Sequence, residues 1–203
     1  MMRLAKPAPA EITALRHDHA GAAFTYDHVG ATRGDPPAGW SSDRQRIVIG
    51  HGAGTWQALL GAIRSWRMFD LPWVILDPPQ PPIRAGQIIA FASHQAGLYA
   101  INLNRIAYVV DDRTPEGPRF GFAYGTLPVH SVRGEELFLG GWDAETDAVW
   151  FEIAQFSRVR HPLARLAYPI ARAVQRRFTR EALRAVRDAV TAAPAQLTDG
   201  GEA

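Results

Sequence analysis

Four side chains able to move protons or hold a polar group fall within a few residues of one another: Tyr124, His130, Glu135 and Glu136. A histidine beside a carboxylate is standard acid–base apparatus, because the carboxylate fixes the imidazole tautomer and raises its basicity. A nearby tyrosine hydroxyl can then orient a substrate or ligand. All four lie in residues 118–142, which read as a β-hairpin. Phe120, Phe122, Tyr124 and Thr126 alternate with Gly121, Ala123 and Gly125, Pro128 and Gly134 bracket a turn, and the strand returns from Glu135 to Trp142. In a regular strand Glu135 and Glu136 point to opposite faces, so only one of them can look into a cavity. A structural reading stands beside the catalytic one, in which His130 and one glutamate cap the turn.

Other chemistry is thinner. Arg177 and Glu181 sit one helical turn apart near an apolar stripe. Arg177 there leans inward to hold a ligand carboxylate or phosphate or to pair with Glu136, or else forms a surface pair with Glu181. Gly50, Gly52 and Gly54 precede a helix but lack the Lys-Ser/Thr of a P-loop and the spacing of a dinucleotide fingerprint, so a tight turn is expected. The histidines are scattered without ligand spacing, and no Gly-x-Ser-x-Gly elbow occurs; neither a metal nor any other cofactor is expected. Arginines of the last helix, with Arg158 and Arg160, make a basic face without interleaved aromatics or a known nucleic-acid motif. A solvated helix face is the expectation and nucleic acid is not an expected partner, with an interaction module as the remaining alternative.

Secondary structure must position these groups. Residues 1–22 read as a loosely ordered lead-in with a helical turn or two at Glu11–His17, and Phe24–Thr32 as a short strand. Arg44–Gly50 is a stronger strand. A helix follows over Thr55–Phe69, Thr55 serving as N-cap and Trp56, Leu59, Leu60, Ile63 and Trp66 forming its buried stripe. Strands are expected at Leu71–Leu76, Gly86–His94, Leu98–Asp111 (bending near Asn102 and Asn104), through the hairpin, and at Ala148–Ser157. Their short connections require antiparallel neighbours. From His161-Pro162 a long amphipathic helix runs to about residue 192, with a kink or break at Pro169, and residues 193–203 read as a disordered tail.

Length and composition fit one globular domain over residues 23–192. The 203 residues are 47% hydrophobic and 21% charged, with no cysteine. Disulfide and thiolate chemistry are therefore excluded, and a reducing, cytoplasmic setting is expected. No signal peptide and no membrane-length apolar run is evident. The net charge is only +2, almost all of the positive charge being arginine, since Lys6 is the single lysine.

The segments Tyr26-Asp-His-Val-Gly-Ala-Thr, Ser65-Trp-Arg-Met-Phe, Phe122-Ala-Tyr-Gly-Thr-Leu-Pro-Val-His, Gly134-Glu-Glu and Phe156-Ser-Arg resemble the DUF1990 (UPF0548) family of uncharacterised proteins. Two places depart from the family's usual pattern: Val129 stands where glycine is common, and Val159-Arg160 follows Ser157-Arg158 where Pro-Ala is common. The resemblance implies kinship with START and birch-pollen-allergen-like helix-grip proteins, which mostly bind apolar small molecules, some members being cyclases, hydrolases or aromatases. It carries no catalytic assignment.

The element order gives the same α+β fold independently: a curved antiparallel sheet of about seven strands wrapped on a long C-terminal helix, with a helical insertion after the first strands. The leading expectation is a cavity between sheet and helix that takes an apolar or amphipathic small molecule. Trp66, Phe122, Tyr124, Thr126, Phe138, Trp150, Phe151 and Arg177 are its candidate lining. The rival is an enzyme of this fold, using His130 with Glu135 or Glu136 for proton transfer and Tyr124 for orientation. Oligomeric state is not legible.

Overall fold

The computed structural model describes residues 2–159 and 168–193. In chain order the elements are β1 (Met2–Arg3), α1 (Pro9–Asp18), β2 (Ser41–His51), α2 (Gly52–Arg64), β3 (Val74–Asp77), β4 (Ile88–Gln95), β5 (Leu98–Thr114), β6 (Gly117–Thr126), β7 (Val132–Trp142), β8 (Ala148–Val159) and α3 (Tyr168–Ala192). The strands form one curved sheet in the order β2-β8-β7-β6-β5-β4-β3, with β1 added to β5. Every pair is antiparallel, as the short links between β3 and β8 require. Because β2 and β3 are the two edges, the segment containing α2 carries the chain from one side of the sheet to the other. With α3 held against the same face, this is the helix-grip arrangement.

Register sorts the side chains. Phe122 pairs with Phe138 and Phe138 with Ile153, so these three share the inner face. They join Leu59 and Ile63 of α2 and Ala182, Leu183, Val186 and Val190 of α3 in the main core. The approach of α2 is close. A Cβ on Gly140 would lie within about 3.0 Å of both Leu59 and Ile63, so a side chain there would push the helix outward. On the outer face α1 docks through buried Ile12 against Ala90, Ala92, Ile101 and Leu103. A second outer cluster forms around Tyr108, Val110, Ala123, Leu137 and Ala154.

Several elements differ from the sequence reading. Residues 1–22, read as a loose lead-in, contain β1 and α1, and Ile12 is only 2% exposed. Phe24–Thr32 is not a strand: its path ends in a 3₁₀ turn at Ala31–Arg33, and its polar groups are met by a side chain of the sheet. The N-cap of α2 is His51, and the Thr55 hydroxyl instead donates back to the His51 carbonyl at 2.7 Å. The bulge in β5 lies between Ile106 and Tyr108, leaving Asn102 and Asn104 in regular ladder positions. The expected helix start at His161-Pro162 and the tail beyond residue 193 lie outside the described residues.

Candidate functional site

Across the middle of the inner face the register lines up Ile106, Tyr124, Glu136, Gln155 and Asp43 on five neighbouring strands. The Tyr124 hydroxyl donates to Glu136 Oε2. Burial pushes the Glu136 carboxyl up to about 7; the Tyr124 hydrogen bond pulls against this, and the Asp43 charge adds to it. Burial and the adjoining Glu136 hold the Tyr124 phenol well above its usual range, so it remains a proton donor. The pair is thus a buried phenol bonded to a carboxyl that changes charge near neutrality.

One strand to the side, Asn104 is fully buried on the same face, between Ile89 of β4 and Thr126 of β6. Neither its amide oxygen nor its amide nitrogen has a hydrogen-bond partner among the described residues. Leaving such a group unsatisfied costs on the order of 1–3 kcal/mol. Its neighbours are satisfied. Thr126 Oγ1 accepts from Gly134 N at 3.0 Å, and Asn102 Oδ1 accepts from Ser131 N and Oγ at 3.4 and 3.3 Å. On the far side buried Gln155 approaches buried Thr179 of α3 at 3.5 Å, and Gln175 Nε2 donates to Ser157 Oγ at 3.1 Å. One end of the grip is therefore polar. The other is aromatic: the Phe122 ring lies 4.6 Å from that of Trp66 and 5.4 Å from that of Phe138.

His130 stands at the polar end but is not a partner of either glutamate. Its Nδ1 accepts the Val132 N–H at 3.2 Å, which places the proton of the neutral ring on Nε2, and its ring meets Phe91 edge-on at 5.9 Å. Burial pushes its pKa down to about 3, so the ring is neutral at physiological pH. It caps the turn.

Glu135 points to the outer face. It accepts hydrogen bonds from Tyr26 Oη (2.7 Å), Gly30 N (2.7 Å), Thr32 N (3.0 Å) and Thr32 Oγ1 (2.5 Å), and is 3% exposed. These bonds fasten the segment from Tyr26 to Thr32 across the sheet, and Gly125 makes room for it: a Cβ there would lie 2.1 Å from Tyr26 Oη. The paired use of His130 with a glutamate, and the use of Glu135 inside a cavity, are therefore corrected.

The remaining predicted residues divide the same way. Trp66, Phe122, Tyr124, Phe138 and Phe151 belong to the inner core, and Thr126 follows Tyr124 on that face. Trp150 does not: Phe151 takes the inward direction, and Trp150 lies outside under the Arg46 guanidinium, 3.7 Å from its ring. Arg177 sits at the rim, bonded to Glu181 at 2.7 Å and stacked 4.7 Å from Trp73, which also donates to Glu181. It is a surface pair. Sequence reading passes over Asn104, Gln155 and Thr179. The available signal is the period-two alignment of Asn102, Asn104 and Ile106, which marks a face rather than a bend.

A family profile described as "Domain of unknown function (DUF1990)" matches residues 25–185. A UPF0548 protein of Deinococcus radiodurans is 35% identical over 192 residues, covering 89% of this chain and 94% of its own. One from Dictyostelium discoideum is 30% identical over 190 residues, covering 85% and 88%. Among solved structures, a protein from Thermus thermophilus superposes with a TM-score of 0.52 at 14% identity over 76% of this chain and 99% of its own, which bears on the fold alone. No helix among the described residues is long and apolar enough to cross a membrane.

Proposed function

The chain belongs to the DUF1990 family, and we propose that it binds an amphipathic small molecule between sheet and α3, the polar end seated on Asn104 and the Tyr124–Glu136 pair. The observation that carries this reading is Asn104: a fully buried amide, lacking partners for both donor and acceptor among the described residues, on the same face as a carboxyl poised near neutrality. Pockets for small molecules combine apolar walls with a few convergent polar groups, and the core residues Phe69, Phe91, Phe138 and Phe178 would form such walls around the ligand. The ligand's polar end both donates and accepts, as an amide or hydroxyl does.

Thermal-shift and native mass spectrometry titrations with dodecanamide and 1-dodecanol test it. Saturable stabilisation and a one-to-one adduct are expected, weakened about tenfold by Asn104→Leu, the loss of a hydrogen-bonded anchor. Absence of any adduct, together with Asn104→Leu raising the melting temperature, would identify Asn104 as a core amide with no ligand role.

The enzymatic alternative is better served by Tyr124 and Glu136 than by His130. A carboxyl near 7 beside a neutral phenol meets the protonation requirement of a general acid or base, whereas the histidine ring is held neutral and spends its free nitrogen on the turn. Glu136→Gln would then abolish turnover of any substrate found while preserving the adduct. Loss of binding and turnover together would return Glu136 to a binding role.

A further inference from the structure

A second site lies on the other side of the sheet. Where the C-terminal end of α1 passes the entry to β4, a surface cleft of about 460 Å³ opens, lined by Arg16, His17, Ala20, Arg84, Gln87 and Ile88 among others. Its volume falls in the range of small-molecule sites. Docking of Ile12 against Ala90, Ala92, Ile101 and Leu103 fixes this cleft on the outer face, away from Asn104 and Glu136. One wall comes from residues that precede the family match at residue 25, so the feature is not contained in the family domain alone.

The cleft's charge is asymmetric. Arg16 is partly buried, and its Nε pairs with Asp77 Oδ1 at 2.7 Å, which fixes the guanidinium in the wall. No acceptor for its Nη groups is present among the described residues. Arg84 is exposed and has no ion-pair partner among the described residues. Arg105 lies behind Ala20, its guanidinium occupied by the Ala20 and Ala22 carbonyls at 2.7 and 2.8 Å. Asp77 offsets only one of the two lining arginines. Ala20, Ala85 and Ile88 add apolar surface beside them.

From this juxtaposition we infer that the cleft is an anion site: it takes a small organic anion, a carboxylate or phosphate ester, whose charged group lies between Arg16 and Arg84 and whose apolar part rests on Ala20, Ala85 and Ile88. A planar guanidinium held by one carboxylate, lining the same cleft as a second, exposed one, suits the two or three oxygens of such a group. Because the anion would span α1 and the β4 entry, its binding also ties the N-terminal helix to the sheet. This inference does not depend on the inner-face ligand.

The test is ¹H–¹⁵N NMR titration of the full chain with hexanoate, phenyl phosphate and inorganic phosphate. Saturable shifts are expected at Ala20 and across residues 84–88, with Kd at or below about 1 mM for at least one organic anion. Inorganic phosphate separates the charged group's contribution from that of the apolar part. Arg84→Glu should weaken binding tenfold or more, and Arg84 is exposed, so the variant folds. Asn104→Leu should leave it unchanged. The inference is overturned by absence of saturation to about 10 mM with all three probes, by shifts that Arg84→Glu does not alter, or by shifts that Asn104→Leu abolishes.

Discussion

Glu135 and Glu136 are consecutive in β7 and meet opposite surroundings. Glu135, on the outer face, receives four donors from a segment about a hundred residues earlier and is sealed from water. Glu136, on the inner face, has the Tyr124 hydroxyl, and burial raises it to about 7. Saturating a carboxylate with donors spends it on holding the chain together. Leaving it one donor in a poorly solvated place keeps a proton equilibrium available for function. The same contrast holds for the amides beside them, Asn102 bonded to Ser131 and Asn104 with no partner among the described residues.

The largest effect expected is on the outer face. Glu135→Ala leaves four donors, three of them buried, without their acceptor and should cost about 3 kcal/mol or more. In a chain of this size that is a melting-temperature loss of about 10 °C. Glu136→Ala, losing one bond, should cost clearly less; equal losses by thermal denaturation would erase the distinction between the two carboxyls. Gly125→Ala tests the same clasp from beneath. The added methyl would lie 2.1 Å from Tyr26 Oη and 2.7 Å from its ring, so about 1–3 kcal/mol is expected. In a Tyr26→Ala background the cost should nearly vanish. An additive double mutant would show that Tyr26 is not what Gly125 accommodates.

The inner face is distinguished by pH. The Glu136 carboxyl is raised from 4.5 to about 7 on folding, so the native state binds more protons than the unfolded chain between those values. Its contribution to stability is complete below about pH 4.5 and is lost as pH rises to about 7. Glu136→Gln should therefore gain melting temperature relative to the parent across that window and hold a constant advantage above it. His130 has the opposite slope. Its pKa falls from 6.5 to about 3, so its contribution is present above about pH 6.5 and lost as pH falls toward 3. A pH-independent difference between Glu136→Gln and the parent would mean that Glu136 titrates like a surface carboxyl.

Much of this division is legible in the sequence. Period-two alternation in residues 118–142 places Tyr124 with Phe120 and Phe122, and requires Glu135 and Glu136 to part. It cannot say which of them faces α3, because direction depends on register with β8, set by pairs such as Glu136 with Gln155. Trp150 and Phe151 are both candidates for the cavity by residue type, although adjacent residues in a strand cannot share a face, and the register chooses Phe151. The segment Phe24–Thr32 resembles a strand because aromatic and β-branched residues dominate it. Its hydrogen bonds are made instead to the side chain of Glu135 and the carbonyl of Thr126, long-range partners that no local pattern announces.

The smallest expected effect comes from a departure within the turn that joins β6 and β7. Val129 occupies a position where the family resemblance places glycine, and its φ is +83°, a region that β-branched residues rarely enter. Holding a non-glycine residue there costs about 1–3 kcal/mol. Val129 recovers part of this by packing against the outer cluster around Leu127 and Leu103. Val129→Gly should then raise stability by about 1 kcal/mol, or about 3 °C, the relief of backbone strain outweighing the lost contact and the added freedom of the unfolded chain. Because the turn also sets His130 beside Phe91, the substitution should leave the pH slope assigned to His130 intact. A loss of stability would mean that the valine side chain holds the turn more firmly than its backbone resists it, and a changed slope that the cap had moved.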